Sequence, residues 1–190
     1  MNRKQQIIEA AKKVFAQKSF FEATVEDIAR ESGVKKATLY YYFESKLDIF
    51  IALIEETLSS ISERMMKLDF SEPRGKVVAD IIDCYFTLFE EKRDLLVIIQ
   101  RAGHDFLHHP EAKSKLSALK ERFEEYLREV GWKLHPVVTR HGKEFSGADF
   151  FKAITFSLIG FFSFSVHTDM EESDVFRELF REVFAASLSE

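Results

Sequence analysis

Residues 24 to 46, TVEDIARESGVKKATLYYYFESK, constrain the fold of this chain more than any other stretch. Thr24 followed three residues later by Asp27 is a capping-box-like start, in which the hydroxyl accepts from a first-turn N–H that no helical carbonyl serves. Val25, Ile28 and Ala29 supply apolar spacing at i, i+3 and i+4, and Gly33 stands where a left-handed cap ends a helix near Ser32. After Gly33 and Val34 the next segment is brief. Leu39 and Phe43 share one face of it, while Ala37 and Tyr41 point the other way, flanked by Thr38, Tyr40 and Tyr42. Ser45 with Asp48 repeats the capping signal and opens a long helix carrying Leu47, Phe50, Ile51, Ile54 and Leu58. The pattern predicts a helix-turn-helix whose short last helix has an apolar back and a polar, aromatic front of a size suited to the major groove of DNA.

Three ordered blocks then carry a resemblance: IIEAAKKVF from Ile7 to Phe15, the block from Thr24 to Ala29, and GVKKATLYYYFESKLDIF from Gly33 to Phe50. Residues 7 to 54 resemble the DNA-binding domain of the TetR family of one-component bacterial transcriptional regulators. That resemblance implies an all-α chain, with an N-terminal three-helix DNA-binding domain over 1–46 and a helical effector-binding and dimerisation domain over 47–190. It also implies a regulator rather than an enzyme, in the family's usual direction a repressor. Such a protein grips a palindromic double-stranded operator as a homodimer, lets go when a small hydrophobic effector binds, and needs no cofactor.

In this family the positions of Lys36, Ala37, Thr38, Tyr40, Tyr42 and Lys46 usually meet DNA. Lys36 can donate to a guanine edge and Thr38 to a base or phosphate, while Ala37 and the tyrosine rings can pack on thymine methyls or sugars. Lys46 at a helix start suits a phosphate, as do Thr24 and Tyr41. The chain departs from the family pattern at Ser19, where Gly is common after the first helix, and at Lys35 and Ala37, where Ser and Gly are common. Ala37 adds a methyl on the face directed at the bases, which implies a different operator preference.

Charge is distributed as a DNA-binding end would require. The 190-residue chain carries a net charge of −5, yet residues 1–47 hold nine basic against six acidic residues, and the remainder 18 against 26. An N-terminal segment of +3 is fused to a remainder of −8. Lys35 and Lys36 oppose the dipole of the helix they open, at about 0.3 to 1 kcal/mol each, unless a phosphate lies close by. With 46% hydrophobic and 31% charged residues the chain can bury a substantial core. Cys84 is the single cysteine, which excludes an intrachain disulfide, and the opening MNRKQQ has no apolar signal region. A reduced, cytoplasmic protein is expected. The apolar run from Ala153 to Val166 is short for a membrane span and flanked by polar residues, so a buried helix and no membrane partner are expected.

Beyond residue 68 the chain is a series of amphipathic helices: 76–101, 113–130, 148–166 and 173–188. Breaks are expected at Asp69–Gly75 and Gly103–Pro110, a loop at Gly131–Gly147, and no strands. Phenylalanine is abundant, at 20 residues, and large rings either fill a core or line an apolar cavity. The resemblance places Phe86, Phe89, Phe123, Tyr126 and Phe156 as candidate ligand contacts. The last two helices read as a dimer surface through Phe151, Ile154, Leu158 and Phe162, with Phe161, and through Phe176, Leu179, Phe180 and Val183, with Val175 and Phe184. Ser157, Gly160 and Ser163 would permit close backbone approach.

Two other readings stand beside this one. His104, His108 and His109 form a cluster in which an i, i+4 pair is capable of holding a metal, giving a metal-responsive DNA-binding sensor. An effector-independent DNA-packaging protein is the other, and an acidic chain argues against it.

Overall fold

The structure, a computed structural model, describes residues 2–106, 110–135, 137–138, 143–165, 173–185 and 188. Its elements are α1 (Arg3–Gln17), α2 (Val25–Ser32), α3 (Lys36–Tyr42), α4 (Lys46–Met65), α5 (Arg74–Phe106), α6 (Pro110–Lys133), β1 (Val137–Val138), β2 (Glu144–Phe145), α7 (Gly147–Ser165) and α8 (Ser173–Phe184). The all-α architecture expected from the sequence is present. The chain divides into two compact units, a head of residues 1–59 and 94–121 and a body of residues 60–93 and 122–190.

In the head, each helix end is set by a local signal. The Thr24 hydroxyl accepts from Asp27 N at 3.1 Å, and Asp27 Oδ2 accepts from Thr24 N at 3.1 Å, which completes a reciprocal box. Gly33 caps α2 at φ 66° with open space around its Cα, so the requirement there is conformational rather than steric. Ser45 Oγ accepts from Asp48 N at 3.2 Å just ahead of α4. The turn after α1 manages without the expected Gly. Ser19 N donates to Glu22 Oε2 at 3.0 Å and Glu22 N to Ser19 Oγ at 3.3 Å. This side-chain pairing closes the turn with no positive φ.

The head's core gathers Ile7, Ala11, Phe15, Ile28, Leu39, Ile49 and Phe50, joined by Leu95, Ile98 and Ala102 of α5. Phe15, Phe20 and Phe50 meet pairwise at 5.4 to 5.7 Å between ring centroids. Packing therefore draws on α4 and the second half of α5 as well as the first 46 residues. Helix α5 leaves helical geometry at Lys92 (φ −117°, ψ 16°), beside the residue where the chain passes from body to head.

The body is built on Met65, Val78, Ile81, Ile82, Phe86, Leu127, Val130, Phe151, Ile154 and Leu158. Several expected boundaries are corrected here. Gly103 lies inside α5 rather than breaking it, and Pro110 opens α6, at the helix position where a missing N–H costs nothing. Gly131 and Gly147 are not loop residues. A Cβ on Gly131 would stand 2.4 Å from Ala148 Cα, and one on Gly147 would stand 2.2 Å from Gly131 O. The end of α6 and the start of α7 thus touch backbone to backbone, which only glycine permits. Between them, where no strand was expected, Val137 pairs with Phe145 and Val138 with Glu144 in a two-residue antiparallel ladder. Among the described residues α7 alone is long and apolar enough in composition to span a membrane. It is buried on one face only, through Phe151, Ile154, Thr155, Leu158, Phe162 and Ser165.

Candidate nucleic-acid interface

Helix α3 presents its front as the spacing requires. Leu39 is fully buried and Phe43 nearly so, which fixes the back of the helix against the head's core. Lys36, Ala37, Tyr40, Tyr41 and Tyr42 are exposed and Thr38 is half-buried. Tyr41 is 82% exposed, an unusual position for a ring that would gain from burial. Its ring meets that of Tyr42 edge-on at 5.1 Å, so the two brace each other in solvent. Thr24, at the start of α2, is exposed as well, with its hydroxyl engaged in the cap.

Two lysines of the expected set are already engaged. Lys36 pairs with Glu26 on the first turn of α2 and lies 5.7 Å from the Tyr40 ring centroid. The hydrogen bond from Lys36 holds the Glu26 carboxyl below its ordinary range, and the same bond raises the lysine. Lys46 faces inward instead of toward a phosphate. Its ammonium donates to the carbonyls of Phe20, Phe21 and Ala23, the last at 2.6 Å, and sits 4.4 Å from the Phe20 ring centroid. Three donors used on three carbonyls make it a clamp on the turn between α1 and α2. Desolvation lowers its pKa accordingly. Spacing alone placed Glu26 on α2 without indicating that it would reach Lys36. Asp27 likewise gains an ion pair from Lys18 at 2.9 Å, and this bond, ahead of the Thr24 cap, holds its carboxyl well below the usual range.

The residues expected around an effector fall in two groups. Phe86 is fully buried and Phe89 half-buried, and both pack on Phe162, the first edge-on at 5.1 Å and the second stacked at 4.1 Å. Phe123 and Tyr126 lie at 6.0 Å, and Phe123 meets the exposed Phe156 at 6.2 Å. Tyr126 also belongs to a trio of buried hydroxyls whose other two members, Tyr85 and Thr155, were not singled out from the sequence. Tyr85 Oη lies 3.0 Å from Tyr126 Oη and 2.9 Å from Thr155 Oγ1. A separate open cleft of about 400 Å³, lined by Arg128, Gly131, Trp132, His135, Ser146, Gly147 and Ala148, contains none of the five expected residues.

The expected dimer surface needs correction. Phe151, Ile154 and Leu158 are fully buried within the protomer and Phe162 is 7% exposed, so these side chains have no area left to bury against a second chain. Phe176 and Phe180 also turn inward, onto Phe161 at 4.8 and 5.5 Å. The apolar residues left outside are Phe156, Ile159 and Phe164 on α7 and Val175, Leu179 and Val183 on α8, each at least 42% exposed. Gly160 stands among them with nothing within 4 Å of where a Cβ would be. Of the histidine cluster, His108 and His109 lie outside the described residues, and among the described residues no group of His, Cys, Asp and Glu is arranged to hold a metal.

Residues 7–53 match the family of bacterial regulatory proteins, tetR family. The fatty acid metabolism regulator protein of Bacillus subtilis is 34% identical over 97 residues, which is half of this chain and half of that one. The chain spans about half the length of the curated relatives it matches. Over nearly the full length the likeness is one of fold. The transcriptional regulator FadR from Bacillus subtilis, solved in complex with stearoyl-CoA, superposes with a TM-score of 0.74 at 22% identity, over 97% of this chain and 99% of that chain. NalD, the secondary repressor of the MexAB-OprM multidrug efflux pump in Pseudomonas aeruginosa, gives 0.72 at 17% identity, over 99% and 97%. The N-terminal helix-turn-helix domain, over residues 7–53, is thus similar to that of the tetR family of bacterial regulatory proteins.

Proposed function

We propose that the protein is a dimeric transcriptional repressor that holds a palindromic operator through α3 and releases it when a hydrophobic effector enters the body. The observation that carries the reading is the front of α3: three tyrosines, an alanine and a lysine held outward by buried Leu39 and Phe43, in a head that matches a family of DNA-binding regulators. Thr38, Tyr40 and Tyr42 read bases and sugars, Ala37 packs on a thymine methyl, and Tyr41 with Thr24 meets phosphates. Lys36 joins them once it leaves Glu26. Lys46 acts indirectly, by fixing the turn that sets α2 against α1.

Dimerisation uses the outward faces of α7 and α8. Val175, Leu179 and Val183 recur every four residues and form a stripe, and Gly160 lets a partner helix approach closely. A two-fold pairing of these faces presents two copies of α3 to a pseudo-palindrome. An aromatic body and relatives concerned with fatty acid metabolism support a long acyl chain as the effector class. The effector acts by binding the non-gripping form better and shifting the population toward it.

Footprinting on the DNA upstream of the chain's own reading frame tests the proposal. One protected palindrome, released on addition of a long-chain acyl-CoA, is the expected result. Unbounded coverage, or no protection at all, overturns it.

A further inference from the structure

We infer that the Tyr85, Tyr126 and Thr155 hydroxyls form the polar end of the effector site and select a neutral carbonyl, such as an ester or thioester, at the end of an apolar chain. The inference rests on the effector reading above and specifies its chemistry. Hydroxyls have no packing reason to meet inside a cluster that contains Phe86, Phe151 and Leu158. Thr155 and Tyr85 come from different helices, α7 and α5, and Tyr126 comes from α6, so three elements converge on one polar point.

The donor count leaves this point incomplete. Each hydroxyl has one proton to give. The two bonds, Tyr85 to Tyr126 and Tyr85 to Thr155, use two of the three protons, and the third has no partner among the described residues. An acceptor entering the cluster would take it. Burial pushes the Tyr85 pKa up to about 12 and raises that of Tyr126 further, so both remain donors at any physiological pH.

The same surroundings exclude a charged head. The hydrogen-bond partners of the two tyrosines are each other and Thr155, and among the described residues no cation pairs with or stacks on either ring. A carboxylate would enter an apolar region without a counter-charge, whereas an ester or thioester oxygen accepts one hydrogen bond and carries no charge. Access is marked by rings. Ring contacts run inward from exposed Phe156 through half-buried Phe123 to Tyr126, at 6.2 and 6.0 Å. Phe123 is the side chain that must swing aside.

The test uses the full-length protein and three probes of equal chain length: methyl laurate, laurate and the matching hydrocarbon. Binding is measured by displacement of an environment-sensitive dye. The ester is expected to bind about tenfold more tightly than the hydrocarbon, as one hydrogen bond in an apolar site allows, and more tightly than laurate. The infrared carbonyl band of the bound ester is expected to lie lower than in hydrocarbon solvent. Tyr85→Phe with Tyr126→Phe keeps both rings and should abolish the ester preference and the band shift while leaving hydrocarbon affinity in place. Thr155→Val, which preserves shape, should weaken both effects partially. Equal affinity for ester and hydrocarbon in the wild type, tighter binding of laurate, or a preference that survives in the double variant overturns the assignment. If none of the probes binds, the hydrophobic-effector reading itself falls, and the assignment with it.

Discussion

Helix α3 of the head and the core of the body both gather aromatic residues, and they use them in opposite directions. On α3 three consecutive tyrosines face solvent, Tyr41 at 82% exposure, while in the body Phe86 and Phe151 are sealed completely. The difference follows from what fixes each side chain. In the head, a box at Thr24, a left-handed Gly33 and a second cap at Ser45 set the ends of short helices, and only one face of each is apolar. Direction is then determined locally. In the body α7 is apolar nearly all round and the apolar stripe of α8 is wide, so helical period cannot say which of their apolar residues look inward. The answer lies in partners far along the chain.

The largest test of that contrast is in the body. Phe151→Ala removes a fully buried ring and should destabilise the body by about 3 to 5 kcal/mol. Phe156→Ala, five positions on and 57% exposed, should cost well under half of that. Gly147→Ala should rank with the first, because its Cβ meets backbone on two sides and neither carbonyl is free to give way. Thermal and denaturant unfolding of the three variants orders them. A Phe156→Ala loss equal to that of Phe151→Ala would break the assignment of inward and outward faces.

Next in size is association. Leu179→Glu with Val183→Glu places two carboxylates on the outward stripe of α8. Under the proposed dimer, sedimentation should show monomer at concentrations where the wild type associates, with helical content retained. The matched pair Phe176→Glu and Phe180→Glu should instead unfold the body, since those rings pack on Phe161. Dimers that persist in the first pair place the interface elsewhere.

How far the sequence could be read follows the same division. The ends of α2, the buried back of α3 and its exposed front were all legible, because caps, a glycine and a four-residue spacing act within one turn. The assignment of Phe151, Ile154, Leu158 and Phe162 to a surface went wrong because α7 is apolar nearly all round, and its inward face is chosen by α5 and α6. Gly131 and Gly147 looked like loop punctuation, yet each is required by a contact with the other's helix. Lys46 illustrates a third kind of failure. Its place in the motif was plain, but a flexible side chain at a helix start can turn either way, and here the carbonyls of Phe20, Phe21 and Ala23 claim it. The Tyr85, Tyr126 and Thr155 network joins positions up to 70 residues apart, and no periodicity reports that.

In the head the effects should fall on binding before stability. Tyr41→Ala with Tyr42→Ala should lower operator affinity by about tenfold or more, as loss of contacts worth 1 to 3 kcal/mol implies. The unfolding midpoint should stay close to wild type, since both rings are exposed. Anisotropy titration against melting separates the two. Thr24→Ala should cost the head about 1 kcal/mol through the lost cap. Asp27 adds a pH dependence to the same box. Its folded pKa lies below the unfolded value, so its contribution is complete above about pH 4, and it disappears as pH falls through the folded value. Acid titration of Asp27→Asn should therefore be flatter than wild type below about pH 4. Identical slopes would remove Asp27 from the acid response.

The smallest expected effect is the most informative about recognition. Glu26 and Lys36 are both about half exposed, a setting in which an ion pair adds little to folding. Glu26→Gln should therefore leave the melting temperature almost unchanged. The two partners carry opposite consequences for DNA, however. Under the proposed operator binding Glu26 would repel phosphate and hold the lysine that the operator would use, so its charge would act as an internal competitor for Lys36. Neutralising it should tighten operator binding by a few-fold at low salt and steepen the fall of affinity with salt by about one counterion, because one more cation is free to displace one. Lys36→Gln should do the reverse, and the double substitution should sit near that single variant. If Glu26→Gln instead weakens binding, the carboxylate is holding Lys36 in its reading position, and the pair belongs to the interface as a positioned unit.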